Sequence, residues 1–596
     1  MCGIVGFVSD TPDENLILNM ISSIKHRGPD DFGYKIIEFG NKFLHLGSAR
    51  LSITGLNDGS MPMYEKQNCL IYNGEIYELN LISSFIKENL NSSSDTRHLF
   101  KFLEKGGISH LSLLNGMFAF AYFNKSVEKL YLSRDKFGIK PLYYSSSKKF
   151  DIIFSSELKT FLDNNISEKK ISTSNLIQYL AFGGLTPEGN LIEGIKALKP
   201  GEVMEINPSG KISNLNFTKK IPPRDKYDNS KFYDILVKSV EDQLKADIPV
   251  DLLLSGGIDS SLLSAIIYKE LNRSVNSYTL SFDSENFDES KNASSSAKKL
   301  GINLEIINYP SNLNNEIIFD LMSKLPEPIA DPSIIPTYYL ANKVSEKTKS
   351  VITGDGADEI FGGYDWYRAS KIKKLIPNKS FINFLILISK QLKVKNNISL
   401  ADKLTQFAEG YDKEFLVDVL FWQNSNKLFN DDFLIEIYKQ FISKLNLKNE
   451  LEDLKTLDQY NYLYSNILKK SDTASMLNGL EIRPVFLDNR ILDYANNLDI
   501  TKNVGYIYTK KNLRKLLRAH MPINSLHFKR GFSHDFGDWT ENEGYNYIMN
   551  FKNDFEFIKN YEILMNSSSN SYIKSRYTWN IYSILKWSEI NKISII

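Results

Sequence analysis

The stretch Asp251-Leu252-Leu253-Leu254-Ser255-Gly256-Gly257-Ile258-Asp259-Ser260-Ser261 passes from an apolar run into two glycines, then into hydroxyls and an acid where a helix begins. A strand that ends in glycines and opens a helix brings backbone N–H groups and the positive end of the helix dipole to one point. That is a cradle for an anion, and Ser255, Ser260 and Ser261 add hydroxyl donors. Gly-Lys-Ser/Thr is absent, so this is not the Walker pattern. A tight turn with a Ser or Asp cap is the plainer alternative, but it needs one glycine and one cap, not the whole run.

Downstream and upstream of that loop the pattern differs. From Tyr227, helix and strand alternate: helix 231–246, strand 250–254, helix 260–271, strand 275–282, helix 290–300, strand 304–308, helix 336–347 and strand 351–353. Such alternation implies an α/β domain with a parallel sheet and ligands at the carboxyl ends of its strands. Beyond Tyr364 the chain reads as mostly helical to its end. Upstream lie short strand-like runs at 3–8, 46–53, 69–72, 117–123, 130–133, 142–144 and 152–155, with helical patterns only at 16–25 and 96–104. Strands in series with few helices predict an α+β sandwich. Residues 207–224 carry Pro-Ser-Gly and Pro-Pro among polar residues and read as a linker. The expected domains are therefore 2–205 and 226–540, followed by a helical C-terminal extension, 541–596.

A chain of 596 residues exceeds what one hydrophobic core supports. A formal net charge of +1 gives no bulk attraction to nucleic acid or an anionic membrane. Cys2 and Cys69 are too few for a disulfide framework, which implies a reducing, cytoplasmic setting. The apolar start is too short for a signal peptide, and the apolar stretch at 381–389 reads as a buried helix rather than a membrane span.

A second loop follows another apolar strand: Val351-Ile352-Thr353-Gly354-Asp355-Gly356-Ala357-Asp358-Glu359-Ile360-Phe361-Gly362-Gly363-Tyr364. Acids beside a phosphate loop repel nucleotide unless they hold a divalent cation, and Mg²⁺ takes one or two carboxylates plus phosphate oxygens. Asp259 and Asp358 are the metal candidates. The first loop resembles the pyrophosphate loop of the ATP pyrophosphatases. With the second, with Pro326-Glu327-Pro328, Asp331-Pro332-Ser333, Asp472-Thr473-Ala474-Ser475-Met476, Gly479-Leu480-Glu481-Ile482-Arg483, Phe486-Leu487-Asp488, Lys510 to Arg514 and Lys529-Arg530-Gly531-Phe532, the chain resembles glutamine-dependent asparagine synthetases. The resemblance implies that Leu253, Ser255, Gly256, Gly257, Asp259, Ser260, Leu280, Thr353 and Gly354 bind ATP. It also implies that Asp355 handles the incoming amine and that Lys510 stabilises charge during adenylation and acyl transfer. Three positions depart from the family: Asp355 is one carbon shorter than the usual glutamate, Pro484-Val485 inverts Val-Pro, and Leu304 replaces a common histidine.

At the amino end, removal of Met1 would place the Cys2 thiol beside a free α-amine, whose pKa of about 8 suits a general base. His26-Arg27-Gly28-Pro29-Asp30 is a polar turn. Arg50 sits in the apolar run Ser48-Ala49-Arg50-Leu51, where a cation needs a partner; a substrate carboxylate supplies one. Tyr72-Asn73-Gly74-Glu75-Ile76-Tyr77 offers the Asn73 amide and the Gly74 N–H as oxyanion donors. Asp95 suits the α-amino group of glutamine, or caps a helix, and Glu75 joins this glutamine-binding set. Together with Ser133-Arg134-Asp135-Lys136-Phe137-Gly138 these motifs resemble a class II glutamine amidotransferase domain, an N-terminal nucleophile hydrolase of stacked antiparallel sheets. The implied activity is ATP- and Mg²⁺-dependent amidation of aspartate through an acyl-adenylate, fed by ammonia through an internal channel. Another carboxylate, such as a uronic acid in surface polysaccharide synthesis, is the alternative acceptor. A glutamine sensor with dead sites would require loss of Cys2, Asn73 or the first loop, and all are intact. The expected partners are small-molecule substrates without nucleic acid or membrane, and a homodimer follows from family habit.

Overall fold

A computed structural model describes residues 2–187, 189–217, 228–283, 288–311, 314–373, 375–376, 380, 382–383, 414–424, 428–445, 447, 451–521, 536–568 and 571–596. The 529–532 run and most of the 381–389 stretch lie outside these.

The amino-terminal half stacks two six-stranded antiparallel sheets. One runs Lys196–Ala197, Tyr143–Ser145, Ile152–Ser155, Cys2–Ser9, Lys42–Arg50, Asp31–Phe39; the other runs Ile212–Asn216, Glu202–Ile206, Lys129–Arg134, Gly116–Asn124, Asn68–Ile76, Met63–Glu65. Alternate side chains of each strand face the other sheet: Ile4, Val8, Leu44 and Leu46 meet Ile71, Ala119, Ala121 and Leu132. The opposite faces are covered by helices. Val5 and Phe7 pack with Ile17 and Met20 of helix Glu14–Ser23, and Tyr72 and Phe118 pack with Leu99 and Phe102 of helix Asp95–Glu104. The central strands are covered on both faces, so they read as apolar runs rather than as clean alternation.

The second half contains a five-stranded parallel sheet in the order Leu304–Asn308, Ser277–Ser281, Asp251–Leu253, Ser350–Thr353, Glu481–Pro484. In chain order that is 3-2-1-4-5, and the winding reverses between Asp251–Leu253 and Ser350–Thr353. A crevice opens there at the carboxyl ends of the strands, which places both glycine-rich loops side by side.

One boundary and two strands differ from the sequence reading. Beyond Tyr364 the described chain is mostly helical, as expected, but it also supplies the fifth strand, Glu481–Pro484. Those four buried residues include an acid, an arginine and a proline, so no apolar pattern marks them. The expected linker at 207–224 begins later, since Ile212–Asn216 pairs with Glu202–Ile206 as a hairpin around Pro208-Ser209-Gly210. Its outer strand is mostly exposed, which removes the alternation signal. The edge strand Asp31–Phe39 escaped notice for the same reason.

Residues of the 541–596 extension pack across both halves. In helix Ser571–Ile590 the Trp579 indole donates to Ile329 O at 2.9 Å and Trp587 donates to Leu325 O at 3.0 Å. Ser583 shares a 2.9 Å hydrogen bond with Tyr179 of the first half, and Ser594–Ile595 pairs in parallel with Lys170–Ile171. Trp579, Trp587, Tyr179, Leu321 and Phe7 belong to one continuous core. No helix among the described residues is long and apolar enough to cross a membrane. Trp579→Ala should cost about 3–5 kcal/mol and lower the urea midpoint of the whole chain, not of a terminal segment alone; urea titration followed by circular dichroism checks this.

Candidate functional site

Cys2 opens the strand that runs through the centre of the first sheet, and its backbone nitrogen lies 3.1 Å from Asn73 Oδ1 on the second sheet. That contact uses the amide oxygen of Asn73 and turns its Nδ2 inward. Asn73 Nδ2 is buried with no hydrogen-bond partner among the described residues. Such a donor in a closed site is costly unless something arrives to accept from it. Gly74 beside it is required sterically: a Cβ there would meet Met117 O at 2.1 Å. The Cys2 thiol is buried, which pushes its pKa up, while the Leu51 N–H and the Arg50 charge pull it back.

Arg50 ends the adjacent strand and is buried. Its Nη2 donates to Gly55 O at 2.6 Å and Thr54 O at 3.2 Å, and among the described residues no carboxylate pairs with it. Asp95 is the first residue of its helix. Ser94 supplies the cap, its hydroxyl accepting from Arg97 N, so capping does not account for Asp95. The Asp95 carboxylate instead accepts from Tyr72 OH at 2.8 Å, Ile76 N at 3.2 Å and Thr96 N at 2.7 Å. Glu75 accepts from Thr54 Oγ1 at 2.8 Å and faces Arg483 Nη2 at 3.2 Å. Burial raises both Asp95 and Glu75 above the usual carboxylate range, and Arg483 draws Glu75 back. One guanidinium and two acids thus converge near a buried thiol. That charge set complements an amino-acid zwitterion.

In the second half, Leu253, Leu280 and Thr353 lie at the carboxyl ends of three adjacent parallel strands. Gly256 has φ +75°, and a Cβ there would sit 2.4 Å from Ala293 N, so only glycine serves. Ser255 Oγ is 3.1 Å from Ser260 Oγ. Helix Ile258–Ala265 starts from Gly257 with no side-chain cap bond, which removes the plain capped-turn reading and leaves its N–H groups facing the loop. The two loops touch, since a Cβ on Gly354 would lie 3.0 Å from Asp259 Cβ. Asp259 and Asp358 meet on one cation: Lys510 Nζ lies 2.6 Å from an oxygen of each. Burial depresses the Lys510 ammonium, but the two acids outweigh that and hold its pKa above the ordinary value. Lys510 adopts φ +51°, a left-handed backbone rare for lysine, a departure that concentrates at functional sites. Two carboxylates converging at the phosphate loop fit the donor set Mg²⁺ takes beside phosphate oxygens.

Asp355 Oδ2 accepts from Ser471 Oγ at 3.0 Å. The next residue, Asp472, accepts from Arg27 Nη2 at 2.8 Å and from Lys140 Nζ at 3.1 Å. Arg27 also donates to Glu157 at 3.1 Å and to Cys2 O at 3.3 Å. Arg27, Lys140, Glu157 and Asp472 are buried where the two halves meet. A cavity of about 20 Å³, room for a water, sits there between Arg27, Glu157, Asp472, Glu327 and Lys469. Arg27, Asp472 and Arg483 lie inside the motifs quoted above without a role that the sequence assigns them, and Lys140 and Glu157 lie outside those motifs. For Asp472 and Arg483, a charge inside a run of otherwise small or apolar residues is the available signal; Arg27, in a polar turn, has none.

The family described as asparagine synthase matches residues 231–578, and a glutamine amidotransferase domain matches residues 1–217. Asparagine synthetase (glutamine-hydrolyzing) 1 of Bacillus subtilis is 29% identical, covering 99% of this chain and 97% of its own. A putative asparagine synthetase (glutamine-hydrolyzing) 2 of Methanocaldococcus jannaschii is 28% identical, covering 80% of this chain and 98% of its own. The amidase chyE of Penicillium rubens is 25% identical, covering 83% of this chain and 79% of its own.

Burial raises the Glu157 and Asp472 pKa values, but Arg27 with His26 and with Lys140 outweigh it, holding both below the ordinary 4.5 and 3.8. Each therefore carries fewer protons folded than unfolded in acid, so its stabilisation is complete above about pH 4.5 and drains as pH falls through and below 3.8. Urea midpoints should fall steeply across that window. Asp472→Asn should flatten the acid limb while costing about 3–5 kcal/mol at neutral pH.

Proposed function

The chain belongs to the asparagine synthase family, and we propose that it is a glutamine-hydrolysing synthetase that moves nitrogen from glutamine to the side-chain carboxylate of aspartate, giving asparagine. One observation carries the reading. The two candidate centres grip successive residues of one buried helix, Lys469–Met476: Asp355 takes Ser471, while Arg27, which touches the Cys2 carbonyl, takes Asp472.

At the first centre, Arg50 takes the glutamine α-carboxylate, and Asp95 with Glu75 takes the α-ammonium. The buried Cys2 thiol needs a base at the moment of attack, and the α-amine left by removal of Met1 serves. The sulfur attacks the side-chain amide carbon, and Asn73 Nδ2 with the Gly74 N–H receives the oxyanion. Ammonia leaves with the proton, and water then splits the thioester to glutamate. At the second centre Leu253, Ser255, Gly256, Gly257, Ser260, Leu280, Thr353 and Gly354 cradle ATP. Asp259 and Asp358 would hold Mg²⁺, which when bound neutralises phosphate charge. Lys510 stabilises the charge that develops as the carboxylate displaces pyrophosphate. Ammonia, kept neutral along a path closed to bulk water, attacks the acyl-adenylate, AMP leaves, and Asp355 takes the amine proton. A cytoplasmic homodimer is the setting we propose.

A second reading keeps this chemistry with another acceptor carboxylate, such as a uronic acid. The shorter Asp355 supports it, because the missing carbon leaves more room for a larger acceptor. Incubation with aspartate, glutamine and ATP followed by amino-acid analysis separates the two; absence of asparagine rules out aspartate.

Cys2→Ala should abolish glutamine-dependent synthesis and retain ammonium-dependent synthesis, with equal loss of both contradicting separate centres. Lys510→Met should cut synthesis from either nitrogen source by about 10²–10³-fold while glutamate release stays within a few-fold of wild type; coupled assays for AMP and glutamate read both.

A further inference from the structure

The glutamine pocket borrows a residue from the other domain. Arg483 lies on Glu481–Pro484, the last strand of the parallel sheet, paired with Ile352 one residue before Thr353. Its side chain is wholly buried and crosses the seam. Nε donates to Glu481 at 2.5 Å, and Nη1 donates to Gln243 O at 2.8 Å and Lys245 O at 3.1 Å. Those three bonds fix the fork. The remaining Nη2 lies 3.2 Å from Glu75 Oε2, inside ion-pair distance but outside hydrogen-bond geometry. The contact therefore acts through charge.

Glu75 needs that charge. It stands two residues after Asn73 on one strand, so both side chains project from the same face, about 6.8 Å apart along the chain. Asn73 meets the Cys2 nitrogen, which puts Glu75 at the same site. The charges of Asp95 and Glu481 and its own burial all oppose ionisation of the Glu75 carboxyl. Thr54 Oγ1 and Arg483 hold it from the other side. In the glutaminase half alone, burial and Asp95 would leave Glu75 without a cation.

We propose that Arg483 is a positioning residue for glutamine capture: from the synthetase domain it neutralises and anchors the Glu75 carboxylate, so that Glu75 and Asp95 together take the α-ammonium of glutamine. Arg483 touches no reacting atom. Its effect reaches the first centre only while the domains are docked, which makes glutamine affinity a property of the assembled chain. The inference rests on the functional reading above.

The experiment uses full-length chains carrying Arg483→Met, Arg483→Lys, Glu75→Gln and the double variant Glu75→Gln/Arg483→Met. Glutamate release gives kcat and KM for glutamine, and AMP formation with ammonium reports the second centre. Arg483→Met should raise the glutamine KM on the order of a hundredfold, with a much smaller change in kcat. Ammonium-dependent synthesis should stay within a few-fold of wild type. Arg483→Lys should recover most of the lost affinity. The double variant should be no worse than the poorer single one, because both remove the same interaction. The acid limb of kcat/KM should move up by about one pH unit or more in Arg483→Met, since Glu75 must ionise without its cation. A parallel fall of glutamine- and ammonium-dependent activities, an unchanged glutamine KM, or additive losses in the double variant would each overturn the proposal. If Arg483→Met does not fold, Thr54→Val removes the other anchor of Glu75 and must raise the glutamine KM in the same way, or the proposal fails. A wild-type chain that releases no glutamate from glutamine would instead refute the functional reading itself.

Discussion

Four buried charges hold the molecule in its working arrangement. Arg27 and Lys140 from the first half meet Asp472 from the second, with Glu157 beside Arg27. Two cations face two anions, so the cluster is neutral only when the halves are docked. Desolvation of such groups costs several kcal/mol per ion, which the pairs recover only in good geometry. Separation would leave Lys140 without its anion and Arg27 with Glu157 alone. Burial of this kind adds little net stability, but it makes any other docking position expensive. It therefore acts as a register mark between domains.

The helix Lys469–Met476 shows how tightly that register is read. Lys469 pairs with Glu327 at 2.7 Å, Lys470 pairs with Asp331 at 3.0 Å, Ser471 reaches Asp355, and Asp472 reaches Arg27 and Lys140. Successive residues of a helix point about 100° apart, so four consecutive polar residues find four partners only when the helix is surrounded on every side. A slip of one residue would break all four sets. Because Asp355 is held directly by Ser471 and Cys2 is held through Arg27, their relative placement follows from this helix.

The second centre shows a different economy. Gly256 lets the backbone fold under the helix start, and the two acids that would repel each other and phosphate are kept close by Lys510. The ammonium supplies the positive charge the acids require. The strands beneath these groups are fixed by parallel pairing from Leu304 to Pro484.

Several features were legible in the sequence because their physics is local. The glycine-rich loops after apolar strands, the run of small residues at a helix start and the apolar strands of the sandwich all depend on neighbours within a few positions. Thus strands such as Leu304–Asn308 and Ile152–Ser155 and the helix Ser290–Leu300 lie where the pattern puts them. Elements without a local signature were missed: the four-residue strand Glu481–Pro484, and the exposed hairpin strand inside the supposed linker. The partners of the buried charges were equally illegible. Arg27 and Asp472 are separated by 445 positions, and Arg483 meets Glu75 from a strand in the other domain. The sequence determined which loops and strands exist and which chemical groups they carry, since backbone freedom, burial and helix starts are set by adjacent residues. Only the tertiary structure decided which charges face each other across the seam, because an ion pair depends on distance in space and no spacing along the chain encodes it.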